Sequence, residues 1–198
     1  MVLQSQIIET VQSVKECVAC PLVQQTTNGP VPGVGNVTGI VGVGRNPGAD
    51  EDQNSGQPFS GASGRMLDSL FFPAAGLTRE DIFLTNLTLC YTIKNEEPPL
   101  EHVKTCTSLH LYPHLSILRP YLVLAFGGQA AYVLTGQTGI SNFHGSVFKN
   151  KRGFYVIPCY HPGAALRNPK LRSDVVYDAA QVRRFLAHRE HYQRELGW

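Results

Sequence analysis

Residues 121–136, YLVLAFGGQAAYVLTG, join a near-continuous apolar run to a segment with helical spacing that closes at Gly136. The run is bounded by Pro120 and by Gly127-Gly128, and it is too short for a buried helix. It reads as a strand covered on both faces, followed by a helix.

The same unit recurs outward in both directions. VTGIVGVG (37–44) and DIFLTNL (81–87) are strand-like upstream. NKRG (150–153) is a turn between two extended stretches and leads into FYVIPCY (154–160), another buried strand downstream. Helical patterns lie between them. Residues 5–16 carry Ile7, Ile8, Val11 and Val14, and residues 62–72 carry Met66, Leu67, Leu70 and Phe71. Residues 100–118 carry Val103, Cys106, Leu109 and Leu111 and stop at Arg119-Pro120; a last helix runs from near Asp174 to about Tyr192. Buried strands alternating with helices predict an α/β fold with a parallel sheet covered on both faces. The 198 residues fit one domain, 1–198, with a full core. In such sheets ligands sit beyond the carboxyl ends of the strands. That points to Gly44–Gly48, Thr85-Asn86, Gly127-Gly128 and Tyr160-His161-Pro162.

Composition narrows the class. Apolar residues make up 42% and charged residues 16%, a globular balance. A net charge of +2 does not by itself argue for nucleic acid and leaves room for a local basic groove. No apolar stretch approaches the roughly 20 residues of a membrane helix. The amphipathic, acid-containing N-terminus lacks the apolar region of a signal peptide, so a cytoplasmic, membrane-free monomer is expected.

Five cysteines without a secretory signal argue against a disulfide framework. Cys17 and Cys20 form C-x2-C, and Cys90 and Cys106 follow with fifteen residues between them. This set suits a four-thiolate centre, zinc or iron–sulfur, or else four small buried hydrophobes. Cys159, in an apolar run, reads as core.

The stretch after Gly44 is polar and Gly/Pro-rich for some twenty residues, a length that tends to be functional. Its GVGRNPG is not a dinucleotide fingerprint: the third glycine comes one residue late, Pro47 interrupts, and no helix follows at once. Phe59 in this loop offers a stacking face. Asn86 at a strand end offers one acceptor and two donors. His161, also at a strand end and followed by Pro162, is placed to donate into a cleft.

Together, GxxPGxxED…GxPFxGxxGxxLD, a strand ending in Thr-Asn, the cysteine spacing and YHPxxxLRNP resemble the iron–sulfur uracil-DNA glycosylases, family 4 of that superfamily, from about Cys17 to the final helix. The resemblance implies a three-layer α/β/α sandwich with a central four-stranded parallel sheet. It implies a [4Fe–4S] cluster, mainly structural, on Cys17, Cys20, Cys90 and Cys106, with zinc the alternative. It further implies a monofunctional enzyme that binds uracil-containing DNA and leaves an abasic site. Phe59 then stacks on the flipped base, Asn86 reads its Watson–Crick edge, and His161 donates to uracil O2. Gly44, Arg45 and Gly48 belong to the base-binding loop. Ser60, Gly61, Ser63, Gly64 and Arg167 are DNA contacts; Lys149, Lys151 and Arg152 are further basic candidates but read better as a solvated turn.

Two stretches depart from the family. Arg45-Asn46 replaces the usual Glu-Ala, and Asn46 stands where the mismatch-specific branch has a water-positioning Asn. CYTIKNEEPP replaces the usual Arg-Pro after the third cysteine. Arg45 has a phosphate, Asp50 or Glu51 as possible partners. These departures keep two alternatives open: another deaminated base such as hypoxanthine or xanthine, and a catalytically weak DNA-binding module.

Overall fold

The computed structural model describes residues 2–198, with side chains from Ser5 onward. Its centre is a six-stranded mixed sheet, mostly parallel. The strands are β1 (Val34–Gly35), β2 (Ile40–Gly44), β3 (Phe83–Asn86), β4 (Leu122–Phe126), β5 (Phe148–Asn150) and β6 (Phe154–Cys159), in the spatial order β1-β3-β2-β4-β6-β5. The expected four parallel strands, β3-β2-β4-β6, form the middle. The strand count needs correction: β1 and β5 add an antiparallel edge on either side. Both are short, as edge strands often are.

Side chains alternate across the central strands, so each face has its own core. On one face Ile40, Leu84, Leu122, Leu124, Phe126 and Ile157 meet Phe71, Phe72, Val175, Ala179 and Val182. Those partners lie on the helix that contains α2 (Ala62–Met66) and α3 (Phe72–Ala75) and on α8 (Arg172–Ala187). On the other face Val41, Val43, Val123, Ala125 and Val156 meet Val103, Leu111, Leu115, Ala130 and Leu134. Those lie on the helix that contains α4 (Leu100–Cys106) and α5 (Tyr112–Leu118) and on α6 (Gly128–Thr135). Helix α1 (Val2–Lys15) buries Val14 against Leu89 and Cys106. Cys159 is fully buried in the first core, as its apolar run implied.

Both long helices widen by a π turn, at Leu67–Phe71 and Thr107–Leu111. Pro73 and Pro113 stand two residues beyond these turns. Proline has no N–H and crowds the carbonyl four residues back, and a wider turn relieves that crowding. The C-terminal helix is also two pieces: α8 ends at Ala187, His188 breaks the helix, and α9 (Arg189–Leu196) follows. A short helix, α7 (Pro162–Arg167), follows β6 directly. No helix among the described residues is long and apolar enough to cross a membrane.

Phe71 lies at the junction of the first core, edge-on to Phe72 and Phe126 at centroid distances of 6.2 and 5.3 Å. Phe71→Ala is expected to lower unfolding free energy by about 3–5 kcal/mol in a denaturant titration. A loss below about 1 kcal/mol would contradict this packing.

Candidate active site

All four parallel strands deliver residues to one cavity of about 300 Å³. Arg45, Asn46 and Gly48 follow β2, Asn86 ends β3, Gly127 follows β4, and Tyr160 and His161 follow β6. Phe59, Ser63 and Arg167 line it as well. The strand-end expectation is therefore met in one place.

The loop from 45 to 61 is more ordered than its composition implies. Residues Glu51–Ser55 make a π turn closed by Gly56 in the left-handed region. Phe59 is also left-handed, at φ 55°, and is 5% exposed. That conformation is costly for a bulky residue unless its surroundings hold it. They do: the Arg79 guanidinium donates to the Phe59 carbonyl, and the ring packs edge-on to Phe126 at 5.7 Å. A Cβ at Gly64 would overlap the Phe59 carbonyl, and one at Gly44 would overlap the Asn86 amide oxygen and crowd the Phe59 ring. The two glycines thus let loop and strand close on each other. Phe59 faces His161 at 5.8 Å between centroids, with 24° between ring planes.

His161 caps α7. Its Nδ1 accepts from the Gly163 N–H at 3.1 Å, which puts the ring proton on Nε2. Burial, with the Arg167 and Arg45 guanidiniums nearby, pulls its pKa down to about 4. The ring is a neutral donor across the physiological range. Asn86 is 4% exposed, and no group among the described residues hydrogen-bonds its amide.

Asn46 is more engaged than expected. Its Nδ2 lies 3.0–3.1 Å from the Pro47 carbonyl, Thr92 Oγ1 and Asn95 Oδ1, and its Oδ1 accepts from Arg45 Nε at 2.7 Å. One lone pair on Oδ1 is left. Arg45 pairs with neither Asp50 nor Glu51 among the described residues; its Nη2 donates to the Asn95 carbonyl and side chain. The two departures noted in the sequence, Arg45-Asn46 and the segment after Cys90, are thus bonded to each other.

Glu51 was named only as part of GxxPGxxED and as a possible partner of Arg45, and no site role was assigned to it. It is 7% exposed and lines the cavity. Its Oε1 accepts from the Gly61 N–H at 3.1 Å, and Oε2 packs beneath Gly48 without a hydrogen-bond partner among the described residues. The Gly61 N–H, expected at a phosphate, is bonded to Glu51 in this structure. Gly64 is buried beneath Phe59, and the Ser60 hydroxyl is bonded to Ser55 and the Gln57 carbonyl. Lys149 and Arg152 pack over Tyr155 and Tyr112 by the β5–β6 turn, at the opposite end of the sheet.

The four cysteines line one apolar chamber with Leu89, Leu109 and His110. Among the described residues no three His, Cys, Asp or Glu side chains converge on a single ion's position. Burial pushes both Cys90 and Cys106 up to about 12, and the neighbouring thiols add to the shift. Ionising such a set calls for positive charge spread among the sulfurs. The zinc and iron–sulfur readings of this four-thiol set both require that ionisation.

A family profile described as the uracil DNA glycosylase superfamily matches residues 32–182. The type-4 uracil-DNA glycosylase of Archaeoglobus fulgidus is 36% identical, covering 88% of this chain and 90% of that one. Its counterpart from Thermotoga maritima is 34% identical, over 88% of this chain and 92% of its own. That of Saccharolobus solfataricus is 32% identical, over 88% and 83%.

Two outcomes follow from the geometry. Nitrogen-15 NMR should find the His161 ring neutral, with its proton on Nε2, from pH about 8 to about 5, and protonating near 4; a midpoint near 6.5 would contradict the site described. Gly64→Ala should destabilise the fold by about 1–3 kcal/mol in thermal or denaturant melts, because the added methyl has no room.

Proposed function

The chain belongs to the uracil DNA glycosylase superfamily and, within it, to the type-4 enzymes, and on that footing we propose that it hydrolyses the N-glycosidic bond of uracil in DNA as a repair enzyme. The observation that carries this reading is the meeting, in one cavity, of the Phe59 ring, the uncommitted Asn86 amide and the Nε2–H of a neutral His161. The sheet with helices on both faces is, on this reading, the three-layer sandwich of the superfamily.

A glycosylase must take its base out of the stack and enclose it. Phe59 supplies the flat face. The Asn86 amide accepts from uracil N3–H and donates to O4. Cytosine presents the opposite pattern at both atoms, and a site with fixed polar pairs discriminates by roughly 10⁴. As the C1′–N1 bond breaks, its electron pair passes into the base and charge gathers on O2. The His161 Nε2–H is aimed at that oxygen, and a preorganised donor of this kind is worth about 3–4 kcal/mol. A water oxygen bonds to C1′ on the opposite side. The spare lone pair of Asn46 Oδ1 orients that water, and Glu51 Oε2 passes its proton to solvent. The products are free uracil and an abasic deoxyribose. Ser63 and Arg167 at the cavity rim meet the DNA backbone and the gap left by the base.

Cys17, Cys20, Cys90 and Cys106 would hold a [4Fe–4S] cluster, which when bound supplies a cross-link between the N-terminal arm, the end of β3 and α4. The commitment of Arg45 and Asn46 to Asn95 gives these residues a structural reason to differ, and no observation favours a purine substrate.

The test is strand cleavage after hot alkali, using end-labelled oligonucleotides with one uracil, hypoxanthine or xanthine. Cutting at uracil is expected. His161→Ala should lower kcat about 10²–10³-fold, and Glu51→Gln, which keeps the bond to Gly61, should lower kcat more than it raises KM. Cleavage only at a purine, or DNA binding with no cleavage, would contradict the proposal. Metal analysis of protein purified without oxygen should return about four irons with sulfide per chain; a single zinc would reject the cluster.

A further inference from the structure

Beyond the cavity, one buried charge bears on it. Asp178, on α8, is fully buried. Its Oδ1 accepts from His144 Nδ1 at 2.6 Å, and its Oδ2 accepts from the Tyr160 N–H at 2.7 Å. Tyr160 is the first residue past β6, whose last ladder pair is Phe126 with Cys159. The Tyr160 N–H is therefore the first that the sheet leaves without a partner, and Asp178 takes it.

His144 reaches this carboxylate from the segment that follows α6. Its ring lies 4.7 Å from the Tyr160 ring and 5.6 Å from that of Tyr177. Gly145 is held at φ 73°, its N–H donates to the Pro158 carbonyl at 2.7 Å, and a Cβ there would crowd Tyr177, Gln181 and Asp178. Ile140 of the same segment lines the cavity. One carboxylate thus joins α8, the wall that carries Ile140 and the turn that carries His161.

We infer that Asp178, together with His144, is a positioning pair for catalysis: it fixes the Tyr160-His161 turn so that the His161 Nε2–H points into the base cavity. The inference rests on the glycosylase reading for its kinetic consequence, but not for its structural one. Downstream of the His161 ring or beside it, the Gly163 N–H bonds Nδ1, the Ala164 N–H bonds its carbonyl at 2.8 Å, and the Phe59 face packs on it. From the strand side, the Gly127 N–H holds the Cys159 carbonyl at 2.8 Å and Asp178 holds the Tyr160 N–H, the contact nearest to His161. The Asp178 carboxyl, pushed up to about 6 by burial, is kept ionisable at neutral pH by its Tyr160 and His144 donors.

Asp178→Ala removes both bonds. Asp178→Asn can keep them, with its oxygen on Tyr160 N–H and its amide donating to His144 Nδ1 after a tautomer change. His144→Phe keeps the ring stack and removes one bond. Each variant, confirmed folded by melting, would be read in single-turnover cleavage of uracil DNA and by nitrogen-15 NMR of the His161 ring. Asp178→Ala is expected to lose about 10–100-fold in rate with little change in DNA affinity, since a small misplacement of a catalytic group has that scale of effect. Asp178→Asn should recover most of the rate, His144→Phe should fall between, and the His161 ring signals should move in Asp178→Ala. A melting shift alone, with rates within about twofold and unmoved His161 signals, would overturn the inference. Failure of the unaltered protein to cut uracil would strike the functional reading instead, and the ring signals, read without DNA, would still decide this one.

Discussion

Parallel strands place all their carboxyl ends on one edge of the sheet, and the rest of this molecule depends on that constraint. Each strand end frees backbone groups and directs its next residues to the same rim. Gly44, Asn86, Gly127 and Tyr160-His161 are neighbours for this reason, although up to 117 positions separate them in the chain. The cavity needs no further organising principle. It needs only that each end be finished with the right group: a glycine where loop and strand close, an amide left without a partner, and an imidazole whose proton is fixed on one nitrogen.

The rim is in turn braced to the cysteine chamber. Past the last ladder pair of β2 and β3, Leu87 N–H donates to the Gly44 carbonyl and Thr88 N–H to that of Arg45. The Arg45-Asn46 side chains then grip Thr92 and Asn95 on the far side of Cys90. A second brace runs from the Cys20 arm. The buried Asp52 carboxylate accepts the Thr27 N–H through both oxygens, and Asn28 donates to the Asp52 carbonyl. Hydrogen bonds thus tie the segments beside the four thiols to the loop that carries Phe59 and Glu51.

This division explains which parts could be read from residues alone. Buried strands such as Leu122–Phe126 announce themselves because both faces are apolar, and Asn86, Phe59 and His161 stood out against plain neighbours. The edges signal less: β1 is only partly buried and forms because the backbone of β3 is there to pair with, while β5 was legible only as the extended stretch before the NKRG turn. The structural roles of Glu51 and Asp178 were hidden for a different reason. A carboxylate looks solvated until the fold buries it, and what gives each of these its meaning is an N–H donor, on Gly61 or Tyr160, that local pattern does not show. The bond between the Gly61 N–H and Glu51, and the ties of Asn46 to Thr92 and Asn95, were hidden in the same way.

The central claim is that Phe59, Asn86 and His161 form a single receptor for uracil. A crystal structure of the protein soaked with free uracil tests it most directly. The account predicts the base stacked on Phe59, with N3–H and O4 on the Asn86 amide and O2 on His161 Nε2. Uracil bound elsewhere, or turned so that Asn86 meets neither N3–H nor O4, would contradict it.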